Sequence, residues 1–423
     1  MSVASLAIAS ELDREIILAP HRGAAREDVE IRARQERAAA PRAKADDFEQ
    51  LGWAFVAKAR RTLDPGYYKL AEKAADVIDA RFGVRAESRL LRGHVLHNVH
   101  RFREAEAMAR QLVGQRGLPE DFALLSDALL EQGNLGEAIQ ALQRMVDLKP
   151  GMEAYSRIAQ VRWLKGDLGA AISAMETAVR ATSPRDAEAS AWTLARLAGF
   201  YLHAGRIEPA LNAADAAVGL AANFPPALLA RGRALLGLGK NATAASVLAR
   251  AADLNPFPEY QWWLADTLRL AGRTGEATRI ESELRARGAQ ADPRTLALFL
   301  ATRGDAATDA VRLARDELAN RGDVFTHDAL AWALAASGDA AAADAEMRAA
   351  LAERTQDARL FWHAGEIALA RGATMEADEF FRKARPLAAT LTPSERGRLG
   401  DRLQAAVAPV QGTFLTQKNY PLP

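Results

Sequence analysis

Three histidines stand three apart in HVLHNVH, residues 94–100. On a helix that spacing makes neighbours of the rings, so His94, His97 and His100 are the metal-ligand candidates of this chain. No carboxylate completes a site with them locally. Exposed histidines near a helix end, where a cationic ring meets the negative pole of the dipole, are the plainer reading. ALLGLGKN, residues 234–241, invites a phosphate-loop reading. That loop needs glycine five before Gly239 and a hydroxyl residue after Lys240, but Ala234 and Asn241 stand there and no strand precedes them. There is no HExxH, calcium loop or Ser-His-Asp order. The chain has no cysteine, which excludes thiol catalysis, disulfides and cysteine-bound metal. We expect no catalytic centre, no enzyme activity and no cofactor.

The seven tryptophans are more telling. Indole is large and amphipathic, and burying one removes about 150–250 Å² from water. It is also enriched where proteins bind one another. What the indoles can do depends on the elements that carry them.

Those elements repeat. Gly133, Gly166, Gly205, Gly239, Gly272, Gly304, Gly338 and Gly372 follow one another at spacings of 33, 39, 34, 33, 32, 34 and 34. A period near 34 is the mark of a solenoid. The long spacing contains the linker ATSPRDAEAS, residues 181–190. Apolar residues sit eleven, eight, seven and four places before each turn, as Leu194, Leu197, Ala198 and Tyr201 do before Gly205. They span a stripe about 100° wide, which is a packing face. The position seven before is small: Gly93, Ser126, Ala159, Ala198, Gly232, Ala265, Ala331, Gly365. Five after the glycine alanine recurs: Ala138, Ala171, Ala210, Ala244, Ala277, Ala343, Ala377. Two helix backbones must cross closely there. Pro150 and Pro256 stop second helices. β-branched residues are sparse and nothing alternates with period two, so the class is all-α.

This grammar resembles the tetratricopeptide repeat family over roughly 45–385. The resemblance implies a right-handed superhelical solenoid of antiparallel helix pairs, about ten of them, with first helices lining a concave groove. Departures are His100 in place of a turn glycine, and an eighth unit near Asp305–Ala310 that runs one residue out of phase. A looser unit over 48–78 has an insertion around Asp64-Pro65-Gly66. The expected organisation is an N-terminal extension over 1–44, partly disordered or helical, then the array over 45–385. A capping helix over 386–410 follows, started by TPSE at 392–395, and then an extended tail over 411–423.

Measured from their turns, six tryptophans share one stripe. Trp192 lies thirteen before, Trp262 and Trp362 ten, Trp53 and Trp332 six, and Trp163 three, with Ala59 as the turn equivalent for Trp53. The stripe is about 80° wide and points roughly 130° from the packing face. Only Trp263 misses it. Under the resemblance, this stripe faces bound peptide in the groove. Indoles wedged between neighbouring pairs are the alternative. Arg233, Asp266 and Arg269 on the same stripe would orient the segment, among a mixed set that includes Glu49, His94, Asp127, Gln160, Asp328, Arg359 and Glu366.

The expected function is a scaffold or adaptor that captures a peptide segment or helix of another protein. The alternatives are a groove for a glycan or lipid and an accessory subunit of an enzyme complex. Lys plus Arg is 55 against 54 for Asp plus Glu, which argues against nucleic acid as the partner. No apolar run is long enough to span a bilayer. The opening MSVASLAIAS lacks a positive start, so the cytoplasm is slightly favoured over export. The oligomeric state is left open.

Overall fold

The computed structural model describes residues 15–407 except 18, 63 and 184. The opening decapeptide and the tail expected over 411–423 lie outside the described residues. Among the described residues there is no strand.

A helix at Arg26–Ala38 precedes ten helix pairs. Pair 1 is Ala45–Thr62 with Gly66–Phe82, pair 2 Ala86–Asn98 with Phe102–Gln115, and pair 3 Pro119–Glu131 with Leu135–Leu148. Pair 4 is Met152–Leu164 with Leu168–Arg180, pair 5 Ala187–His203 with Ile207–Leu220, and pair 6 Pro225–Gly237 with Asn241–Leu254. Pair 7 is Pro258–Leu270 with Thr274–Ala291, pair 8 Pro293–Arg303 with Ala307–Leu318, and pair 9 Val324–Ala336 with Ala340–Leu351. Pair 10 is Ala358–Ala370 with Thr374–Ala384; a 3₁₀ turn at Arg385–Thr390 and a helix at Pro393–Val407 follow it.

The reason for the pattern is visible in the packing. The recurring alanines five after each turn, from Ala138 to Ala377, are fully buried. The small residues of the first helix lie close against the second: Ser126 Oγ donates to the Ala138 carbonyl at 3.0 Å, and a Cβ on Gly232 would stand 2.6 Å from the Leu248 side chain. The turn glycines all have φ between 67° and 87°, and His100 takes φ 60° in the same place. In seven pairs the second helix starts two residues after the glycine; in pair 8 it starts three after Gly304, and Ala310 is its fully buried contact. That is the one-residue phase shift the sequence shows.

Pairs also meet far along the chain. The turns of pairs 3, 4 and 5 lie against connections five pairs later. A Cβ on Gly133 would collide with the Gly322 carbonyl; on Gly166 it would stand 2.6 Å from the Arg354 oxygen, and on Gly205 2.7 Å from the Pro386 oxygen. Thr355 Oγ1 donates to the Leu164 carbonyl at 2.8 Å, and Lys165 pairs with Glu353 at 2.6 Å. The array therefore coils until its second turn sits on its first, along a seam made by the turn edge of one and the connection edge of the other.

Candidate partner-binding groove

The first helices face inward, and neighbouring ones are tied by side chains of the stripe. Arg157 holds Asp127 through two hydrogen bonds, at 2.8 and 2.7 Å. Burial alone would raise the Asp127 carboxyl, but the Arg157 guanidinium overrides it and holds the group below its ordinary value. His363 Nδ1 lies 2.8 Å from Asp328, and Arg402 grips Glu366 at 2.8 Å.

Coiling decides the fate of the indoles. Trp262 and Trp362 are 1% and 0% exposed, Trp163 and Trp332 8% each. Trp332 stacks on His363 at 4.2 Å between centroids and lies 5.0 Å from Trp362, wedged between pairs 9 and 10; its Nε1 donates to Thr302 at 3.0 Å. Trp262 meets Phe299 edge-on at 5.8 Å and carries the Arg359 guanidinium 5.0 Å above its ring. Trp163 donates Nε1 to the Gln356 carbonyl at 2.9 Å and stacks on Phe325 at 5.2 Å, both from the second turn of the coil. As solvent-facing anchors these four are corrected by their burial. Trp263, off the stripe, is 1% exposed beneath Arg233.

Asp266 and Arg269 are spoken for as well. Asp266 is buried, paired with Arg303 at 2.5 Å and hydrogen-bonded by the Ser394 hydroxyl. Arg269 grips Glu281. Glu395 closes the same end: it accepts from Thr392 N at 2.8 Å, which completes the expected helix start, and binds Arg359 through both its oxygens. The C-terminal helix thus reaches from pair 10 to pair 7 and fills that part of the groove with the chain's own residues.

Two indoles keep contact with water. Trp53 is half-buried, donating to Glu49 and meeting His94 edge-on at 4.9 Å. Trp192 is 39% exposed and lines a cavity of about 220 Å³ with Trp163, Arg196, Phe200, His203, Arg233, Glu259 and Tyr260. Arg233 pairs with Glu259. Arg196 hydrogen-bonds Gln160 and makes no ion pair among the described residues. Exposed on one side but walled in by the groove, its guanidinium is pushed down by loss of surrounding water. The same loss pushes His203 down to about 4, against the pull of Asp357. Arg196, His203, Glu259 and Tyr260 escaped the sequence reading. The available signal was that Arg196 follows Trp192 by four residues and so shares its face.

The histidine cluster does not converge. His94 packs on Trp53, while His97 and His100 both turn to Phe102. Among the described residues no group of three or more His, Cys, Asp or Glu is placed to hold a metal ion. Burial pushes His94 down to about 3, so its ring is neutral at ordinary pH. No described helix is long and apolar enough to cross a membrane.

These features define an all-α superhelical repeat protein whose inward face is largely self-filled. A family model described as tetratricopeptide repeat matches residues 90–153 and 229–292, which are pairs 2–3 and 6–7 with their flanks. Over those two stretches the chain carries tetratricopeptide repeats. No curated protein sequence matches it. Among solved structures it is similar to the human IFIT1 dimer with PPP-AAAA, at 13% identity over 90% of this chain and 94% of that one, TM-score 0.47. It is similar to the APC/C hetero-tetramer Cut9–Hcn1, at 13% identity, 94% and 99% coverage and TM-score 0.38. It is also similar to MamA 41-end from Desulfovibrio magneticus RS-1, at 17% identity, 41% and 97% coverage and TM-score 0.33. Identities this low say nothing of what the chain binds.

Proposed function

We propose that this protein is an interaction scaffold that holds a segment of another protein in the groove bounded by pairs 4–7. The observation that carries the reading is the pairing, in one cavity, of the exposed Trp192 indole with Arg196, a cation without an ion-pair partner among the described residues. An exposed indole offers apolar area and an unpaired guanidinium offers a fork of donors, so the site suits a segment that presents a carboxylate beside an apolar side chain. The near-equal counts of 55 basic and 54 acidic residues favour a protein over a nucleic acid. Arg233, which lines the same cavity, would orient that segment, and Trp53, half-buried, would offer a second indole. The glycan or lipid alternative loses support, because stacked open indole faces are what it needs and four of the six are covered.

The test compares wild type with Trp192→Ala/Arg196→Ala, both exposed positions whose loss leaves the core intact. Peptide arrays varying a carboxylate and its apolar neighbour are read by binding. The expected outcome is selective binding by wild type, lost by about tenfold or more in the double variant while circular dichroism and melting are unchanged. Equal binding by both proteins would overturn the site.

A further inference from the structure

The seam that joins the two turns of the coil uses two edges, and each edge continues past the seam. On the turn edge, pairs 3–5 are covered, whereas Cβ atoms on Gly272, Gly304, Gly338 and Gly372 would meet nothing within 4 Å. On the connection edge the second turn is covered: Glu353 pairs with Lys165, and Leu387 is 8% exposed. Both residues lie fifteen after their turn glycine. The same position in pairs 3, 5 and 6 is Leu148, Leu220 and Leu254, which are 51%, 48% and 43% exposed. Opposite them, Leu270 stands two before its turn glycine and is 54% exposed. In pairs 3, 4 and 5 that position is Glu131, Leu164 and His203. Glu131 pairs with Arg321, Leu164 accepts from Thr355, and His203 lies 3.6 Å from Asp357. Met375, also on the open turn edge, is 88% exposed.

We infer that a second copy of this chain stacks on the first by repeating the seam, with the open turn edge of pairs 7–10 seated on the open connection edge of pairs 3–6 of its neighbour. Continuity with the internal seam identifies the occupant. The geometry that already fits these two edges together within one chain is presented unfilled at both ends, and among the charged residues of those edges stand exposed apolar ones, Leu148, Leu220 and Leu254 on one and Leu270 and Met375 on the other. The two surfaces differ, so the contact is heterologous. It leaves one edge free at each end and propagates as a short head-to-tail stack.

The test uses the full chain and two variants, one blocking each edge: Leu148→Glu/Leu220→Glu on the connection edge and Leu270→Glu/Met375→Glu on the turn edge. Sedimentation velocity and light scattering read mass against concentration. Wild type should gain mass with concentration; each variant should stay at the mass of one chain with unchanged circular dichroism. Mixed together, the two variants should form a one-to-one dimer and nothing larger, because each keeps the edge the other lacks. Wild type that holds the mass of one chain at all concentrations overturns the proposal. So does association by wild type with no dimer in the mixture, which would mean a symmetric or unrelated contact.

Discussion

Trp262 and Trp362 sit at the same distance before their turns, and both are hidden, one beneath Arg359 and one against Trp332 and His363. Among the described residues neither indole Nε1 has a hydrogen-bond partner in its buried place, so their stabilising contribution is packing rather than polar contact. Replacing either with Ala should cost about 3–5 kcal/mol by cavity formation. Trp192→Ala should stay within about 0.5 kcal/mol, since the ring is open to water. Urea midpoints check both, and a destabilised Trp192→Ala would mean the ring is a wedge like the others. The histidines set a second test. His94 is held at about 3 and His203 at about 4 by burial. In the unfolded chain the ring titrates near about 6.5. The unfolded state therefore takes up these protons first, and the folded state loses ground as pH falls below about 6.5. The slope approaches about 1.4 kcal/mol per pH unit for each ring. Stability should be full above about pH 7 and fall toward about pH 5, a window that lies above most carboxylate titration. His94→Gln and His203→Gln should each flatten that fall; an unchanged slope would show the rings charged in the folded state.

The helix pairs were written plainly in the chain, down to the phase slip after Gly304, because each pair is specified by its own small residues and its own turn. The fate of the stripe was not. A sequence stripe gives the direction of Trp163 from its own pair, but not that Gln356 and Phe325 arrive opposite it from pairs five or more further on. That depends on how far each pair rotates against the next, a small angle that accumulates over the coil and leaves no local signature. Trp192 escaped cover and Trp163 did not, although both lie on the predicted face. The turn glycines give this difference a measurable form. Gly166 and Gly272 have nearly the same φ, 79° and 75°, so alanine meets the same backbone strain of about 1 kcal/mol at each. Only Gly166 has a second-turn carbonyl in the way. Gly166→Ala should therefore lower the urea midpoint clearly more than Gly272→Ala. Equal effects would mean the two turns of the coil do not rest on each other in solution.

Ordinary solenoids are sums of neighbours, and each repeat feels only the next. This molecule adds contacts between pairs five apart, so the coil behaves as a spring held closed. The closure joins apolar contact, Trp163 stacked on Phe325, to polar contacts: Lys165 with Glu353, Arg321 with Glu131, Thr355 with the Leu164 carbonyl. Half exposed, Lys165 with Glu353 contributes little singly, about 0–1 kcal/mol, while Arg321 with Glu131 is more buried; together they bias open against closed because the repeats remain folded either way. Lys165→Glu combined with Arg321→Glu places like charges across the seam at both points. Helix content should persist while the radius of gyration from X-ray scattering rises, and tryptophan emission should shift to the red as Trp163 loses Gln356 and Phe325. Starting from Lys165→Glu alone, adding Glu353→Lys reverses one pair without changing its geometry and should restore part of the compact form. If scattering is the same for the seam variant and the wild type, the coil is held by its buried aromatic wedges and not by its seam, and the inward face is permanently closed to anything larger than what the Trp192 cavity admits.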